Sequence, residues 1–193
     1  MVMNEKPILV EYDRRQLAVR MLRAVELAGV GPRDCVLDVG CGNTELKDFL
    51  PATVEYVGVD YYKMLPFVIE HDISKGLPYQ LRDQRFDAIF LLEFLEHMEN
   101  FKSILEDCKR VLKPDGAIIV SVPNPKRFHF DEHPDHIHSF TPLNMQNLAR
   151  QIGMRVARKT GTYIPIPLLH KHVPSKSLLL TDTIVYALKL ATG

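Results

Sequence analysis

The sequence lacks the charge excess that nucleic-acid-binding proteins usually carry. Its 193 residues contain 24 basic and 24 acidic side chains, a balance that gives no overall field to attract a polyanion. The three cysteines, Cys35, Cys41 and Cys108, show no Cys-x-x-Cys spacing, so neither a disulfide framework nor a thiolate zinc site is predicted. No uncharged apolar run approaches the roughly 20 residues of a membrane span. We therefore expect a soluble, cytoplasmic protein for which nucleic acid is a disfavoured but not an excluded partner.

The length and composition favour one domain. With 193 residues, of which 46% are hydrophobic, the chain can bury a substantial core. We expect a single domain over 1–193, with a covering helix at 1–30, a cofactor-binding core at 31–160, and an apolar loop and edge strand at 161–193. The sequence is compatible with a monomer or a homodimer.

Apolar and amphipathic segments alternate along the chain. Strands are predicted at 35–39, 56–59, 67–70, 86–92 and 117–122, and helices at 14–28, 44–50, 101–112 and 142–152. Late strands at 154–161 and 183–190 bring the number to seven and could supply an antiparallel edge. This alternation predicts an α/β fold: a Rossmann-like, doubly wound, mostly parallel sheet with an antiparallel edge strand and helices on both faces.

A glycine-rich turn follows the first predicted strand. The segment 36–44 reads Val-Leu-Asp-Val-Gly-Cys-Gly-Asn-Thr, and the next strand ends in Asp60. Gly40 and Gly42 let the backbone turn sharply and approach a ligand, while Asp60 can accept the hydroxyls of a ribose. The pattern predicts a site for an adenosine-containing cofactor.

Glu45 distinguishes between cofactors of that kind. It stands where a dinucleotide-binding turn prefers Gly or Ala, so a pyrophosphate at this point would meet a carboxylate. A cofactor with one adenosine and a charged amino acid in place of the pyrophosphate fits better. S-adenosylmethionine has that shape and charge.

Six segments together resemble the class I S-adenosylmethionine-dependent methyltransferases, in particular the small single-domain members of the type 11 and type 23 kind. They are Val-Leu-Asp-Val-Gly-Cys-Gly (36–42), Val-Gly-Val-Asp (57–60), His-Asp-Ile (71–73), Phe-Asp-Ala-Ile (86–89), Leu-Glu-His (95–97) and Val-Leu-Lys-Pro-Asp-Gly (111–116). The resemblance extends over residues 15–160. Thr44 departs from it, because most members have a third glycine there.

The resemblance also implies which residues contact the cofactor. The methionine part would lie along Asp38, Gly40 and Gly42, the ribose on Asp60, and the adenine beside Asp72 and Ile73, while Leu92 and Glu93 would face both cofactor and acceptor. Cys41 and Tyr61 complete this set, and Cys41 is expected mainly to pack in the turn.

A second pattern, Glu93-x-x-Glu96-His97, can place two carboxylates and an imidazole near one point. Such ligands suit magnesium, manganese or zinc. The pattern resembles metal-assisted branches of the family, namely quinone-precursor O-methyltransferases and enzymes that 2′-O-methylate small-RNA ends, which have a later histidine. His136 best matches that histidine. The resemblance thus implies a divalent metal held by Glu93, Glu96, His97 and His136.

Other roles for these side chains stay open. His97, His136 or His138 could act as a general base, since an unperturbed imidazole has a pKa of ~6.5. The catalytic candidates are His97, His136 and Glu93, and a purely structural role remains an alternative. Lys126-Arg127 could hold an anionic acceptor or form a solvated loop. The apolar segment 163–174 could be a lid, an oligomer contact or core packing.

The expected reaction is in-line transfer of the sulfonium methyl group, which depends on alignment and on exclusion of water. The leading acceptor is a hydroxyl of a small molecule or glycan, because the chain is compact and neutral in charge. Metal-assisted 2′-O-methylation of RNA is one alternative. The other is a regulatory module that binds S-adenosylmethionine or S-adenosylhomocysteine without catalysis.

Overall fold

The computed structural model describes residues 7–63, 65–126, 134–163 and 181–191. Three α-helices lie in these ranges: α1 (Pro7–Ala28), α2 (Phe101–Val111) and α3 (Pro142–Gln151). The strands are β1 (Cys35–Val39), β2 (Glu55–Asp60), β3 (Val68–Glu70), β4 (Phe86–Leu92), β5 (Leu112–Pro123), β6 (Met154–Tyr163) and β7 (Thr181–Leu190). Short 3-10 helices follow several strands, at Glu45–Phe49, Ile73–Lys75, Tyr79–Leu81 and Leu95–His97.

All seven strands form one sheet in the order β3-β2-β1-β4-β5-β7-β6. β1 pairs in parallel with β2 and β4, and β4 pairs in parallel with β5. β7 runs antiparallel to both of its neighbours, β5 and β6. The predicted fold class, a mostly parallel, seven-stranded Rossmann-like sheet, is confirmed. The antiparallel strand was expected at the edge of the sheet.

The antiparallel strand β7 lies one position inside the sheet, and β6 forms the edge. The residues of β7 from Ile184 to Leu188 are all buried, as expected for a strand with partners on both sides. β6 instead exposes Arg155, Arg158 and Lys159. Positive side chains on an edge strand discourage pairing with other chains, so the composition of the two strands explains their order.

Helices cover both faces of the sheet. Alternate residues of β1 point to opposite faces, so that Leu37 packs in one apolar cluster and Val36 in the other. The first cluster includes side chains of α2 and α3, such as Ile104 and Met145. The second includes Met21, Ala24 and Leu27 of α1. The core is therefore built from two layers that the central strands separate.

Three elements differ from the prediction by more than two residues or in the type of helix. α1 begins at Pro7, earlier than residue 14. The predicted helix at 44–50 is a 3-10 helix, because the segment before Pro51 is too short for regular α-helical turns. β5 begins at Leu112, which pairs with Phe86 before the register shifts to Ala88 opposite Ala117. The residues at this irregularity, Lys113-Pro-Asp-Gly116, have the composition of a turn, so the first part of the strand was not predicted.

Some predicted features lie outside the described residues. These are Arg127, the histidines at 129 and 133, and residues 164–174 of the apolar segment. Within the ranges that are described, none of the helices combines the length and the apolar character that a membrane crossing demands.

The N-terminus of α3 is capped by Thr141. Its Oγ1 accepts a hydrogen bond from the backbone N–H of Asn144 at 3.1 Å, and Pro142 occupies the first helical turn. Replacement of such a cap by alanine removes the acceptor of an otherwise unpaired N–H.

We expect Thr141→Ala to lower the free energy of unfolding by about 1 kcal/mol. Urea unfolding followed by circular dichroism measures the change. Thr53→Ala is the matched control, because Thr53 is exposed and lies outside the regular elements. Equal stabilities of the two variants would show that the cap contributes nothing.

Candidate functional site

The site lies where the order of the strands reverses. From β1 the chain proceeds to β2 and β3 on one side, and it then returns to β4 on the other side of β1. In such sheets a crevice opens at the carboxyl ends of the two central strands. Gly40 follows β1 here, and Phe94 follows β4 closely.

The glycine turn and the acid after β2 are joined by hydrogen bonds. The backbone N–H groups of Gly40 and Cys41 donate to the carbonyl oxygen of Val59, at 2.8 and 3.2 Å. The N–H of Gly42 donates to Oδ2 of Asp60 at 2.9 Å. The turn therefore fixes where the Asp60 carboxylate lies.

The turn needs its glycines for two reasons. Gly40 and Gly42 have φ angles of 71° and 50°, in the left-handed region that L side chains rarely adopt. A Cβ atom at Gly40 would also collide with the ring of Phe94. Thr44 has a φ of 64° and adopts the same kind of conformation without being glycine. This is the position at which the sequence departs from the family pattern.

A cavity of about 210 Å³ opens beside this turn. Five of the predicted cofactor residues line it: Gly40, Asp60, Tyr61, Asp72 and Ile73. Its lining also includes His71, Ser74, Phe94 and Met98, which the sequence analysis did not assign. His71 begins the recognised segment 71–73, and the other three directly adjoin recognised segments, so position next to the motifs was the signal that could have found them.

Asp72 is held in place at the mouth of this cavity. Its Oδ1 accepts hydrogen bonds from the Ser74 hydroxyl at 2.6 Å and the Ser74 N–H at 3.1 Å. These bonds, with the charge of Lys75 3.2 Å away, hold the pKa of Asp72 below its usual range. The carboxylate is therefore ionised at neutral pH and starts the 3-10 helix that carries Ile73.

The other five predicted cofactor residues do not line this cavity. Among them, Asp38 is 4% exposed and lies beneath the turn. Burial raises the pKa of Asp38 to about 7, although a hydrogen bond from Tyr56 opposes the rise. Burial, with the charge of Asp38, raises the pKa of the Cys41 thiol to about 12. Cys41 therefore stays a neutral thiol that packs in the turn.

Glu93 follows β4 in a strained conformation. Its φ is 50°, an uncommon value for a residue other than glycine and one found often at functional sites. The Ser121 hydroxyl donates to Oε1 of Glu93 at 2.9 Å, and Nη1 of Arg20 lies 3.3 Å from Oε2. Burial raises the pKa of Glu93, and the Arg20 charge opposes that rise most strongly. Neither Arg20 nor Ser121 was predicted from the sequence.

Glu96, His97 and His136 form a cluster. Each offers a nitrogen or oxygen atom that lies within 4.8 Å of those of the other two. The rings of His97 and His136 are 4.7 Å apart between centroids. The N–H groups of Ile137 and His138 donate to the Glu96 carbonyl oxygen at 2.9 and 3.1 Å, which ties the loop to the turn. Glu93 is not a member of this cluster.

The cluster contains a carboxyl group without a hydrogen-bond donor. Glu96 is 1% exposed, and neither side-chain oxygen has a partner among the described residues. Burial, and then the charge of Glu93, raises the pKa of Glu96 to about 8. Nδ1 of His97 lies 3.0 Å from the carbonyl oxygen of Asp135. Because a carbonyl only accepts, Nδ1 carries the proton and the lone pair of Nε2 is available.

His138 faces a different part of the molecule. Its ring packs edge-on against Phe101, 4.8 Å away between centroids. With Phe101 and Phe140 it lines a second cavity, of about 430 Å³, between α2 and α3. The structure thus groups His97 with His136 and separates His138 from both.

The fold and the site define the class of protein: a Rossmann-like α/β domain with a cavity where its strand order reverses. The sequence pattern of the methyltransferase domain family matches residues 10–159. The match covers more than half of the chain, so the chain belongs to this family.

Two curated relatives are ubiquinone biosynthesis O-methyltransferases. The one from Haemophilus ducreyi is 30% identical over 106 residues, which is 46% of this chain and 45% of the relative. The one from Pseudomonas fluorescens is 30% identical over 162 residues, 68% of this chain and 69% of the relative. The chain therefore spans about half the length of the first relative and about two thirds of the second.

A solved structure supports the fold independently. The S-adenosylmethionine-dependent methyltransferase from Archaeoglobus fulgidus superimposes with a TM-score of 0.67 at 19% identity. The superposition covers 95% of this chain and 100% of that one. At this level of identity the likeness concerns the architecture, and the acceptor must be argued from the site.

We expect the buried Asp38 carboxyl to make stability depend on pH. Because its pKa is raised from 3.8 to about 7 on folding, the folded protein holds a proton that the unfolded chain has lost. Stability therefore falls as pH rises through this window, by up to about 1.4 kcal/mol per pH unit. Asp38→Asn should flatten that fall in urea unfolding between pH 4 and 8. Asp48→Asn, at an exposed position, should leave it unchanged, and a slope equal to the wild type in Asp38→Asn would contradict the assignment.

Proposed function

We propose that the protein transfers the methyl group of S-adenosylmethionine to a hydroxyl group of a small molecule or glycan. The observation that carries this proposal is the cluster of Glu96, His97 and His136 at the carboxyl end of β4, close in sequence to Glu93. Removal of a hydroxyl proton needs a base or a cation, and these side chains can provide either. The O-methyltransferase names of the curated relatives agree with an oxygen acceptor.

The cofactor occupies the crevice in this proposal. Its adenosine lies in the cavity of about 210 Å³, with the ribose on Asp60 and the adenine beside Asp72 and Ile73. Its methionine part follows the glycine turn toward Asp38. The aspartate suits the ammonium group by charge.

Arg20 is the counterpart for the carboxylate of the methionine part. Its side chain is 22% exposed and holds Glu93 by a single contact of 3.3 Å. Its buried Nε–H has no acceptor among the described residues. A guanidinium group offers five donors in one plane and matches a carboxylate well. The carboxylate of the cofactor could therefore accept a hydrogen bond from the Nε–H group of Arg20.

The cluster also fits a divalent metal ion. A buried carboxyl group without a donor is unfavourable as an anion unless a cation lies beside it. Glu96, His97 and His136 would hold the ion, and Glu93 would join them only by leaving Arg20. One carboxylate and two imidazoles suit zinc or manganese better than magnesium, which prefers oxygen ligands. When bound, such an ion would polarise the acceptor hydroxyl.

The side chains have roles in acceptor activation whichever cation is used. Asp135 fixes the tautomer of His97 through Nδ1, so that Nε2 can accept a proton or donate its lone pair. Ser121 and Arg20 hold Glu93, at the end of the strand that borders the crevice. Alignment of acceptor and methyl group in a closed crevice supplies most of the rate in this kind of transfer.

We expect S-adenosylmethionine to bind with a one-to-one stoichiometry in calorimetric titration. Asp60→Ala should weaken the affinity about tenfold to a hundredfold, because it removes hydrogen bonds to a charged acceptor. Asp48→Ala, at an exposed position on the short helix after the turn, should bind like the wild type. Unchanged affinity in Asp60→Ala would contradict the proposed placement of the ribose.

The metal site is tested by zinc and manganese titrations with and without Glu96→Gln. This substitution preserves shape and removes the charge, so we expect metal affinity to fall at least about tenfold while cofactor affinity persists. Glu99→Gln is the matched control, since Glu99 is exposed in the same turn region.

A labelled-methyl screen over phenols, glycans and RNA, run with and without chelator, then identifies the acceptor. Transfer to RNA, or cofactor binding without any transfer, would replace the proposed function by one of its two alternatives.

A further inference from the structure

Tyr56 reaches from β2 to β1 beneath the glycine turn. Its hydroxyl donates a hydrogen bond of 2.7 Å to Oδ2 of Asp38, and the two side chains are 9% and 4% exposed. In the register of the two strands Tyr56 lies opposite Val36, and Asp38 lies opposite Gly58. The tyrosine ring therefore runs diagonally toward the carboxyl end of the sheet, where the cofactor binds.

Gly58 provides the space for this arrangement. A Cβ atom at Gly58 would lie 3.3 Å from Cε1 of Tyr56 and 2.9 Å from Sγ of Cys41. Either contact would push the ring or the turn out of place. The glycine within the Val-Gly-Val-Asp segment thus lets Tyr56 pass along the strand to reach Asp38.

We propose that Tyr56 is a positioning residue for cofactor binding, which holds the Asp38 carboxylate by one oxygen and presents the other to the ammonium group of S-adenosylmethionine. The inference rests on the placement of the methionine part given under the proposed function. Neither the family pattern nor the sequence analysis assigns a role to Tyr56.

The hydrogen bond determines how Asp38 is oriented. Among the described residues, Tyr56 is the one whose side chain donates a hydrogen bond to this carboxyl group. The terminal torsion of an aspartate has a broad energy minimum, so the carboxylate can turn when nothing holds it. A fixed carboxylate loses less conformational entropy when the cofactor arrives, and this favours binding.

Tyr56 is itself held by its neighbours. Its ring packs edge-on against Phe67, with centroids 5.9 Å apart and planes at 82°. The Lys47 ammonium group lies 5.9 Å from the centroid of the Tyr56 ring. These contacts come from the short helix after the turn and from the segment before β3. The hydroxyl is therefore preorganised by packing that does not involve the cofactor.

The charges around Asp38 should make the affinity for the cofactor depend on pH. Glu45 and Asp60 face Asp38 as anions and raise its pKa, while the Tyr56 hydroxyl lowers it. The Cys41 thiol stays neutral because its pKa is about 12. An ammonium group interacts best with the ionised carboxylate. Cofactor affinity should therefore weaken as pH falls below about 7, and removal of the tyrosine hydroxyl should move that midpoint upward.

The test is calorimetric titration of Tyr56→Phe with S-adenosylmethionine between pH 6 and 9. We expect affinity at pH 7 to fall about tenfold or more, as for loss of a hydrogen bond to a charged group, with the midpoint shifted to higher pH. Tyr186→Phe is the matched control. Tyr186 is 0% exposed, and its hydroxyl has no hydrogen-bond partner among the described residues. This control should bind like the wild type.

A double-mutant cycle with Asp38→Asn distinguishes an error in the cofactor placement from an error in the role of Tyr56. If Tyr56 acts through Asp38, Tyr56→Phe should have little further effect on affinity in the Asp38→Asn background. Full affinity in Asp38→Asn would refute the proposed cofactor placement. Weak binding in Asp38→Asn together with wild-type affinity and pH profile in Tyr56→Phe would overturn only the role of Tyr56.

A variant that keeps both the ring and the hydroxyl of Tyr56 guards against loss of folding. Replacement of Tyr56 by 3-fluorotyrosine retains the hydroxyl and makes it a stronger donor. We expect the midpoint of the pH profile to move downward in that protein. A midpoint that moves in neither variant, even where thermal stability changes, would show that Tyr56 is only a structural residue.

Discussion

The close approach of the Gly40 backbone to the Phe94 ring is the constraint on which the rest of the site depends. Gly40 follows β1 and Phe94 follows the neighbouring strand β4, so the ring packs against the backbone where the two paired strands end. A side chain at position 40 would displace the ring. Since Phe94 immediately precedes Leu95–His97, such a shift would also move the cluster turn. The cofactor cavity and the cluster are thus built on one contact.

Three buried or half-buried acids lie near this contact, and they differ in how many hydrogen-bond donors or positive charges stabilise them. Glu93 has the guanidinium group of Arg20 and the hydroxyl of Ser121, Asp38 has one tyrosine hydroxyl, and Glu96 has no donor among the described residues. Burial is the largest cause of the raised pKa at each of them. A scaffold selected only for stability would not retain such groups. Acids in this arrangement favour a cationic ligand, as the proposed function requires.

The sequence predicted what is local and missed what is not. β1 and β4 have the predicted bounds because their apolar runs are continuous, and the glycine turn was found because its residues are consecutive. Tyr56 and Ser121 escaped notice because their partners lie 18 and 28 residues away. Arg20 is one of several arginines on its helix, and only the fold brings it to Glu93. His136 was found across a comparable distance because the family pattern, rather than any local signal, pointed to it.

The charge of Glu93 lies between the two parts of the site, namely Arg20 on the cofactor side and the cluster of Glu96, His97 and His136. Its carboxylate is held by Ser121 and Arg20. Glu96 lies three positions further along the chain, and the charge of Glu93 raises the pKa of Glu96. A cofactor carboxylate that engages Arg20, as proposed above, would take the counter-ion from Glu93. Glu93 would then be left with its negative charge beside Glu96, and a cation at the cluster would be favoured. Charges at this distance in a poorly hydrated crevice are weakly screened, so under the proposed function a cofactor bound at Arg20 would favour a cation at the cluster.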